Sequence, residues 1–476
     1  MGDVGAIMDR RPYCHCGGGD PLGKGSDIGG SGASGRLSQR FSFDAFSASE
    51  GQGDRCGNGP ANGHASAQAS EASMSAGEGE DRPTPWAALL GVTGALALFG
   101  AAQGLSYPLF TLLMQRQGLP PGTIGLSAAM MPIGLLLSAP LVPRAIRLVG
   151  PRGLAIGCAL AGALCFLLIG WRQDAFAWFV LRLLVGFIIN PLYILGEVWA
   201  LAMAPPARRG RVMGVFNTVL SAGFATGPLT LALVGSEGWP PFVVIVLAFC
   251  LCAAVLAAAP PSRLSAIDPS DDPAPEIGLL GFARIAPALL FAVIIASANQ
   301  QGLYALMPVF GAAFGRAEAV LAAMLTVLSF GNMGLQIPLG LMAERFGGRA
   351  MTLACAVITA VCAALLPVVI STPAVWPLLF VMGGVCYGVY TMALVELGTR
   401  FHGRALIAGN AAFALMWGAG GIVGPPLSGA AIQLLGAQGL PVTIIFLVAV
   451  LLVFSTYRKL ARRSGPSPLP PMQERE

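Results

Sequence analysis

Charge is scarce in this chain. Only 11% of its 476 residues are charged, whereas a soluble domain carries about 25%. Lys24 and Lys459 are the only lysines, so there is no Gly-rich phosphate loop ending in Lys-Ser or Lys-Thr, which argues against an ATP-driven machine. Histidine is limited to His15, His64 and His402. No nucleophile, base and orienting group converge, which argues against an enzyme. The net charge of +5 is not gathered on one solvated face, so no nucleic-acid partner is expected. Ten cysteines are too few for a disulfide scaffold. Cys158, Cys165, Cys250, Cys252, Cys355, Cys362 and Cys386 lie in apolar runs, where cysteine acts as a small hydrophobe. Cys14-His15-Cys16 has no second ligand pair at zinc spacing, so neither a metal nor a cofactor is expected.

Residues 1–84 also lack something, the short apolar core that follows a basic start in a secretory signal. Their Gly/Ser-rich composition cannot bury enough area to offset the entropy of ordering. A disordered cytoplasmic extension is expected there, and a start at Met74 would leave a compact protein.

What remains is apolar: 55% of the chain is hydrophobic, concentrated after Trp86. A helix needs about 20 apolar residues to cross about 30 Å of hydrocarbon. Twelve such spans are predicted, at 86–112, 122–142, 153–171, 175–203, 212–234, 240–260, 284–305, 318–341, 351–370, 375–397, 405–432 and 439–457. The runs are continuous rather than alternating, so they are helices and not a barrel. The fold class is an all-α membrane protein, with a six-helix bundle at 85–260, a linker at 261–283, a second six-helix bundle at 284–458 and a tail at 459–476. The linker carries Asp268, Asp271, Asp272 and Glu276 among prolines, as a solvated connection would.

Arginine sets the orientation. One set of loops and the tail hold Arg144, Arg147, Arg152, Arg208, Arg209, Arg211, Arg263, Arg284, Arg345, Arg349, Arg400, Arg404, Arg458, Lys459, Arg462, Arg463 and Arg475. The opposite loops hold Arg116, Arg172 and Arg316. By the positive-inside rule both termini are cytoplasmic.

The two halves echo one another. Gly210-Arg211 is followed by Asn217, Gly223, Gly227 and Pro228. Gly403-Arg404 is followed by Asn410, Gly420, Gly421, Gly424 and Pro425. Aligned on the loop glycines, Asn217 matches Asn410 and Gly227 matches Gly420, with the Gly-Pro pair displaced by four residues. Parallel six-helix halves around a central pathway are one transporter architecture.

With these residues in view the chain resembles the major facilitator superfamily. The loop signature of that family is matched by Gly340-Leu341-Met342-Ala343-Glu344-Arg345-Phe346-Gly347-Gly348-Arg349. The first-half counterpart, around Arg144 and Gly150-Pro151-Arg152, lacks the acidic residue. Arg182-Leu183-Leu184-Val185-Gly186 is similar to the fourth-span signature. Gly223 through Gly227-Pro228 is similar to the fifth-span signature associated in the family with antiporters. Gly196-Glu197-Val198-Trp199 through Arg211 is similar to a bacterial branch grouped with drug or sugar exporters. The resemblance implies a bacterial inner-membrane protein that works as a monomer by alternating access.

Within that frame Arg182 and Glu197 are the coupling candidates. The resemblance puts Arg182 beside the central cavity; otherwise it snorkels to the interface. Glu197 stands fifteen residues further along the span, about 22 Å away, and either binds a proton or pairs with the basic loop after it. Glu396 faces Arg400 at i,i+4, the spacing of a structural pair. No Asp or Glu stands at the middle of spans one, two, seven, eight or eleven. Gln103, Tyr107, Asn190, Tyr193, Asn299, Gln300, Gln301, Tyr304, Asn332 and Gln336 are candidates for a polar pathway, or for hydrogen bonds between helices. Tyr387, Tyr390, Trp199 and Trp417 either stack on a substrate or pack. Gly223, Gly227, Pro228, Gly420, Gly424 and Pro425 are read as packing and hinge elements. Glu344, Arg345, Gly348 and Arg349 are read as gating groups. The expected function is secondary transport of a small organic solute, as proton-coupled efflux. The alternatives are an importer or facilitator for a sugar or organic acid, and a non-transporting receptor or assembly protein.

Overall fold

A computed structural model describes residues 86–203, 209–259, 279–401 and 404–463. The extension at 1–84, the Cys14-His15-Cys16 group, most of the linker and the end of the tail lie outside them. Among the described residues every regular element is helical. Twelve long helices carry the fold: α1 Trp86–Arg116, α2 Pro121–Ser138, α3 Pro151–Trp171, α4 Ala175–Met203, α5 Arg209–Val234, α6 Pro240–Ala258, α7 Pro287–Ala312, α8 Glu318–Phe346, α9 Gly348–Val369, α10 Val375–Arg400, α11 Arg404–Leu435 and α12 Gly439–Arg463. A short helix, Val142–Val149, prolongs α2, and another, Leu279–Ile285, precedes α7.

Among the described residues eleven segments are long and apolar enough to cross a membrane. The last, Ala408–Arg458, runs for 51 residues, more than twice what one crossing needs. It is broken at Gly436, whose φ is 65°, and therefore contains two spans, α11 and α12. Several helices outrun their apolar stretches because a helix ends at backbone signals, not at the edge of hydrocarbon. Proline opens α2, α3, α6 and α7 within the first two positions, where its missing N–H costs nothing. Gly347, at φ 86°, stops α8 beyond the amphipathic Glu344-Arg345-Phe346, in a conformation that side chains with a Cβ resist.

Helix packing corrects the register of the repeat. In the first bundle a Cβ at Gly223 would collide with the backbone of Ala97, and one at Gly227 with that of Ala101. In the second, Gly420 meets Ile294 and Gly424 meets Ala298 in the same way. Likewise α2 and α4 touch through Gly134 on Leu183 and Gly186 on Met131, while α8 and α10 touch through Gly331 on Phe380 and Gly383 on Leu328. Every equivalent pair (97 and 294, 131 and 328, 134 and 331, 183 and 380, 186 and 383, 223 and 420, 227 and 424) shares one offset. Gly227-Pro228 therefore matches Gly424-Pro425. The loop glycines and the pair Asn217 and Asn410 fall out of register, because the second half has four more residues between its loop glycine and its seam.

The bundles meet along α2 with α11 and α5 with α8, with a smaller contact between α1 and α7. The turns joining α1–α2, α3–α4, α5–α6 and α7–α8 lie at one end of the molecule, the turn end. Arg144, Arg147, Arg152, Arg345, Arg349 and Arg400 lie at the other, the basic end. One buried core runs through the first bundle and on into the turn-end half of the second, from Leu303 to Phe310 and Leu321 to Leu328. At the basic end the second bundle keeps a separate core, around Phe282, Val293, Met351, Met392 and Phe413. The buried apolar cores of the two halves are joined at one end and separate at the other.

Candidate functional site

At the turn end an ion pair ties the bundles together. Arg116, the last residue of α1, donates through Nε to Glu318 Oε1 at 2.8 Å, and its Nη2 lies 2.5 Å from Oε2. The same guanidinium donates to Ser236 Oγ at 2.8 Å and to the Ser236 carbonyl at 3.2 Å, and Ser236 Oγ also donates to Glu318. Neither Ser236 nor Glu318 stood out in the sequence. The positive-inside count took Arg116 only as a minority charge, and nothing local signals a partner 202 residues away.

One and a half turns further in, Thr111 donates to the Ala305 carbonyl at 2.8 Å, from α1 to α7. Next, the Phe224 ring is flanked by Tyr107 at 5.8 Å and Tyr304 at 5.7 Å between centroids, both edge-on. Tyr107 and Tyr304 occupy equivalent positions in the repeat, as do Gln103 and Gln300, and Tyr193 and Tyr390. The Tyr304 hydroxyl lies 2.9 Å from Ser329 Oγ. Phe224, which has no distinguishing mark in the sequence, thus packs between a tyrosine of each half.

The amides divide into two groups. Gln103 is fully buried, with Oε1 and Nε2 both unpartnered, and Asn190 Nδ2, Asn299 Oδ1 and Gln300 Oε1 are unpartnered too. Buried amides in that condition are costly and call for water or a ligand. The others are satisfied within the second bundle. Gln301 donates to Ser297 Oγ at 3.0 Å, and Ser297 Oγ to the Trp417 carbonyl. Gln336 donates to Asn332 at 3.1 Å and Gly384 at 3.3 Å and accepts from Thr391 at 2.6 Å, joining α8 to α10.

Arg182 is 3% exposed and does not snorkel. Its guanidinium lies 4.5 Å from the centroid of the Phe110 ring, and one long bond of 3.4 Å reaches Ser127. Nε is unpartnered. Tyr107 is its electrostatic neighbour, and no carboxylate among the described residues pairs with it. Glu197 is exposed, on the helical face it shares with Gly186, Asn190 and Tyr193 and away from the outward stripe of Phe176, Val180, Leu184 and Phe187. It makes no ion pair or hydrogen bond among the described residues. Its charge acts on Tyr193 of its own helix and on Tyr387 and Tyr390 of α10. Those two tyrosines pack with Trp417, with centroids 5.3, 5.6 and 4.8 Å apart. Trp199, in contrast, is buried.

At the basic end Glu396 and Arg400 form the expected pair at 2.5 Å. Glu344 is exposed and makes no ion pair among the described residues, while Arg345 covers the Phe346 ring at 5.5 Å. Arg349 donates to the Ser455 carbonyl at 3.3 Å, in its own bundle. Arg152, its repeat equivalent, donates to the Ala257 carbonyl. Ala257 stands one residue before the end of α6, where a cation also complements the helix dipole, whereas Ser455 lies about two turns before the end of α12. Gly348 rests against Glu396 and Met392 of α10.

Comparison with known proteins agrees with this architecture. The family model described as Major Facilitator Superfamily matches residues 92–323 and 289–475. An uncharacterized MFS-type transporter of Bacillus subtilis, YfkF, is 25% identical over 343 residues, covering 70% of this chain and 86% of that one. A mutant of the nucleoside transporter NupG superposes with a TM-score of 0.68 at 14% identity, covering 78% and 99% of the two chains. A bacterial homolog of the human lysosomal transporter Spinster, in an inward-facing and occupied conformation, gives 0.63 at 14% identity, covering 81% and 98%. A chain of two six-helix bundles related by an internal repeat, matched by this family model over most of its length, belongs to the Major Facilitator Superfamily and is a multi-pass membrane transporter.

Proposed function

We propose that this transporter moves a small organic solute across the bacterial inner membrane by alternating access, as a monomer, in proton-coupled efflux. The observation that carries the reading is the division of the buried core. The bundles share one core at the turn end and have two at the basic end, where Glu197, Asn217 and Asn410 present polar groups to the surface. With the arginine-rich end in the cytoplasm, this is a state open to the inside and shut to the outside. Two boundaries then do the gating: Arg116–Glu318–Ser236 with Thr111–Ala305 outside, and the parted α4 and α10 inside.

Substrate enters the vestibule beside Glu197 and meets Tyr193, Tyr387, Tyr390 and Trp417. Beyond them lie the unpartnered amides Gln103, Asn190, Asn299 and Gln300, with the Tyr107–Phe224–Tyr304 plug above. Glu197 carries the coupling proton, since it is the vestibule carboxylate without a partner among the described residues. Arg182 keeps the nearby pocket positive without itself changing charge.

The test is flux in proteoliposomes with and without a pH gradient, using solutes chosen from a compound panel that distinguishes a deletion strain. Gradient-driven accumulation is expected. Flux indifferent to the gradient would remove the coupling and leave a facilitator, and absence of any flux would favour a receptor.

A further inference from the structure

The vestibule contains an imbalance of charge that points to what it takes. Glu197 is exposed and lacks a counter-ion among the described side chains; those of Arg208, Arg209 and Arg211, in the basic loop after it, lie outside them. Arg182 is about 22 Å along the same helix and cannot neutralise it. Glu197 is the electrostatic neighbour of Tyr387 and Tyr390 on α10, and these two rings pack with Trp417 of α11 in a three-ring cluster with centroids 4.8 to 5.6 Å apart. All three rings are half-buried, whereas Trp178 and Trp199 elsewhere in the bundles are sealed. The cluster is also held in place. Trp417 is anchored at its carbonyl by Ser297, which accepts from Gln301, and Gln301 lies against Gly421 of α11.

The repeat shows that this is a local specialisation. The position equivalent to Glu197 is Leu394, and that equivalent to Tyr387 is Asn190. One wall of the vestibule has the carboxylate and the other has the rings. Aromatic faces are negative in their quadrupole and attract cations. A carboxylate beside an aromatic cluster of this kind makes a field of one sign, which penalises anions and leaves neutral solutes only stacking.

We infer that Glu197, Tyr387, Tyr390 and Trp417 form a recognition site for an organic cation with an apolar or aromatic body. The inference rests on the reading of this vestibule as the substrate pathway and adds the substrate class to it. Neither Arg182 nor the orphaned amides belong to this site; they lie deeper and suit hydrogen-bonding groups or water.

Binding can be measured on the purified full chain in phosphatidylcholine nanodiscs, with tetraphenylphosphonium as a permanent cation and triphenylphosphine oxide as an uncharged body of similar shape. The wild-type protein is expected to bind the cation saturably and at least about tenfold more tightly than the neutral probe. Glu197→Gln should erase most of that preference, and Glu197→Asp should restore part of it. Trp417→Leu should weaken the cation about threefold to tenfold. Equal affinity of the wild type for the two probes would overturn the inference without any variant, as would an unchanged preference in Glu197→Gln. The transport reading fails separately: charge-selective binding with no flux of any solute sinks transport and keeps the site, while gradient-driven flux with charge-blind binding does the reverse.

Discussion

Arg182 shows how a single side chain can oppose the fold that contains it. A guanidinium 3% exposed, held by a ring face and one long hydrogen bond, has lost its hydration without gaining a carboxylate. Removing such a charge stabilises a protein when the replacement fills the space. Arg182→Met is therefore expected to raise the melting temperature, by the equivalent of about 1 kcal/mol or more, while lowering flux at least tenfold. A fall in melting temperature would show that the cation belongs to the scaffold. The Arg116–Glu318 pair is of the opposite kind. Its side chains are 35% and 38% exposed, and exposed pairs contribute about 0.2–1 kcal/mol. Arg116→Ala should shift the conformational equilibrium toward an open turn end by only about twofold to fivefold. Thiol labelling of Gly122→Cys reads that shift, and the exchange Arg116→Glu with Glu318→Arg should reverse it.

Among the helices, glycines fall into two sorts that the sequence does not distinguish. Gly134, Gly186, Gly223, Gly227, Gly331, Gly383, Gly420 and Gly424 each stand where a Cβ would strike the backbone of a neighbouring helix. Gly340 has nothing within 4 Å. Gly186→Leu is expected to cost at least about 1–3 kcal/mol and to abolish a monodisperse elution peak in detergent. Gly340→Ala should be neutral, or stabilising by about 0.5–1 kcal/mol. A chain with 63 glycines gives no local mark of which ones form seams. The spans were legible because lipid imposes an unbroken apolar run on each of them, and the two coupling candidates because charge within such runs is rare. The register of the repeat was not legible from its loop glycines, since the loops carry the length difference while the seams carry the constraint. Ser236, Glu318 and Phe224 escaped notice for a related reason: their partners are distant in sequence, and a serine, a helix-starting glutamate and a phenylalanine are ordinary residues for their places.

For the molecule as a whole, seams of this tightness make each bundle a rigid body, so the alternating access proposed above is a movement between bundles. Joining Arg116→Cys to Glu318→Cys with a short bifunctional thiol reagent, on a background without the native cysteines, should hold the turn end shut. Transport is then expected to stop while the probe cation still binds from the basic end, and cleaving the linker should restore flux. Transport that continued through the cross-link would mean that the turn end does not have to open.

One contact between the bundles has the same tightness as those within them. Gly125 of α2 lies on the backbone of Pro425 in α11, and Gly429 on that of Pro121. No side chain there can swing aside, so separating the two helices bares main chain that only solvent can cover. Each cycle must then hydrate this surface and dry it again, and the water admitted becomes a reactant in the transition. An impermeant polymer that lowers water activity on that side should slow turnover at a fixed solute gradient, so the transporter would sense osmotic pressure through its own mouth.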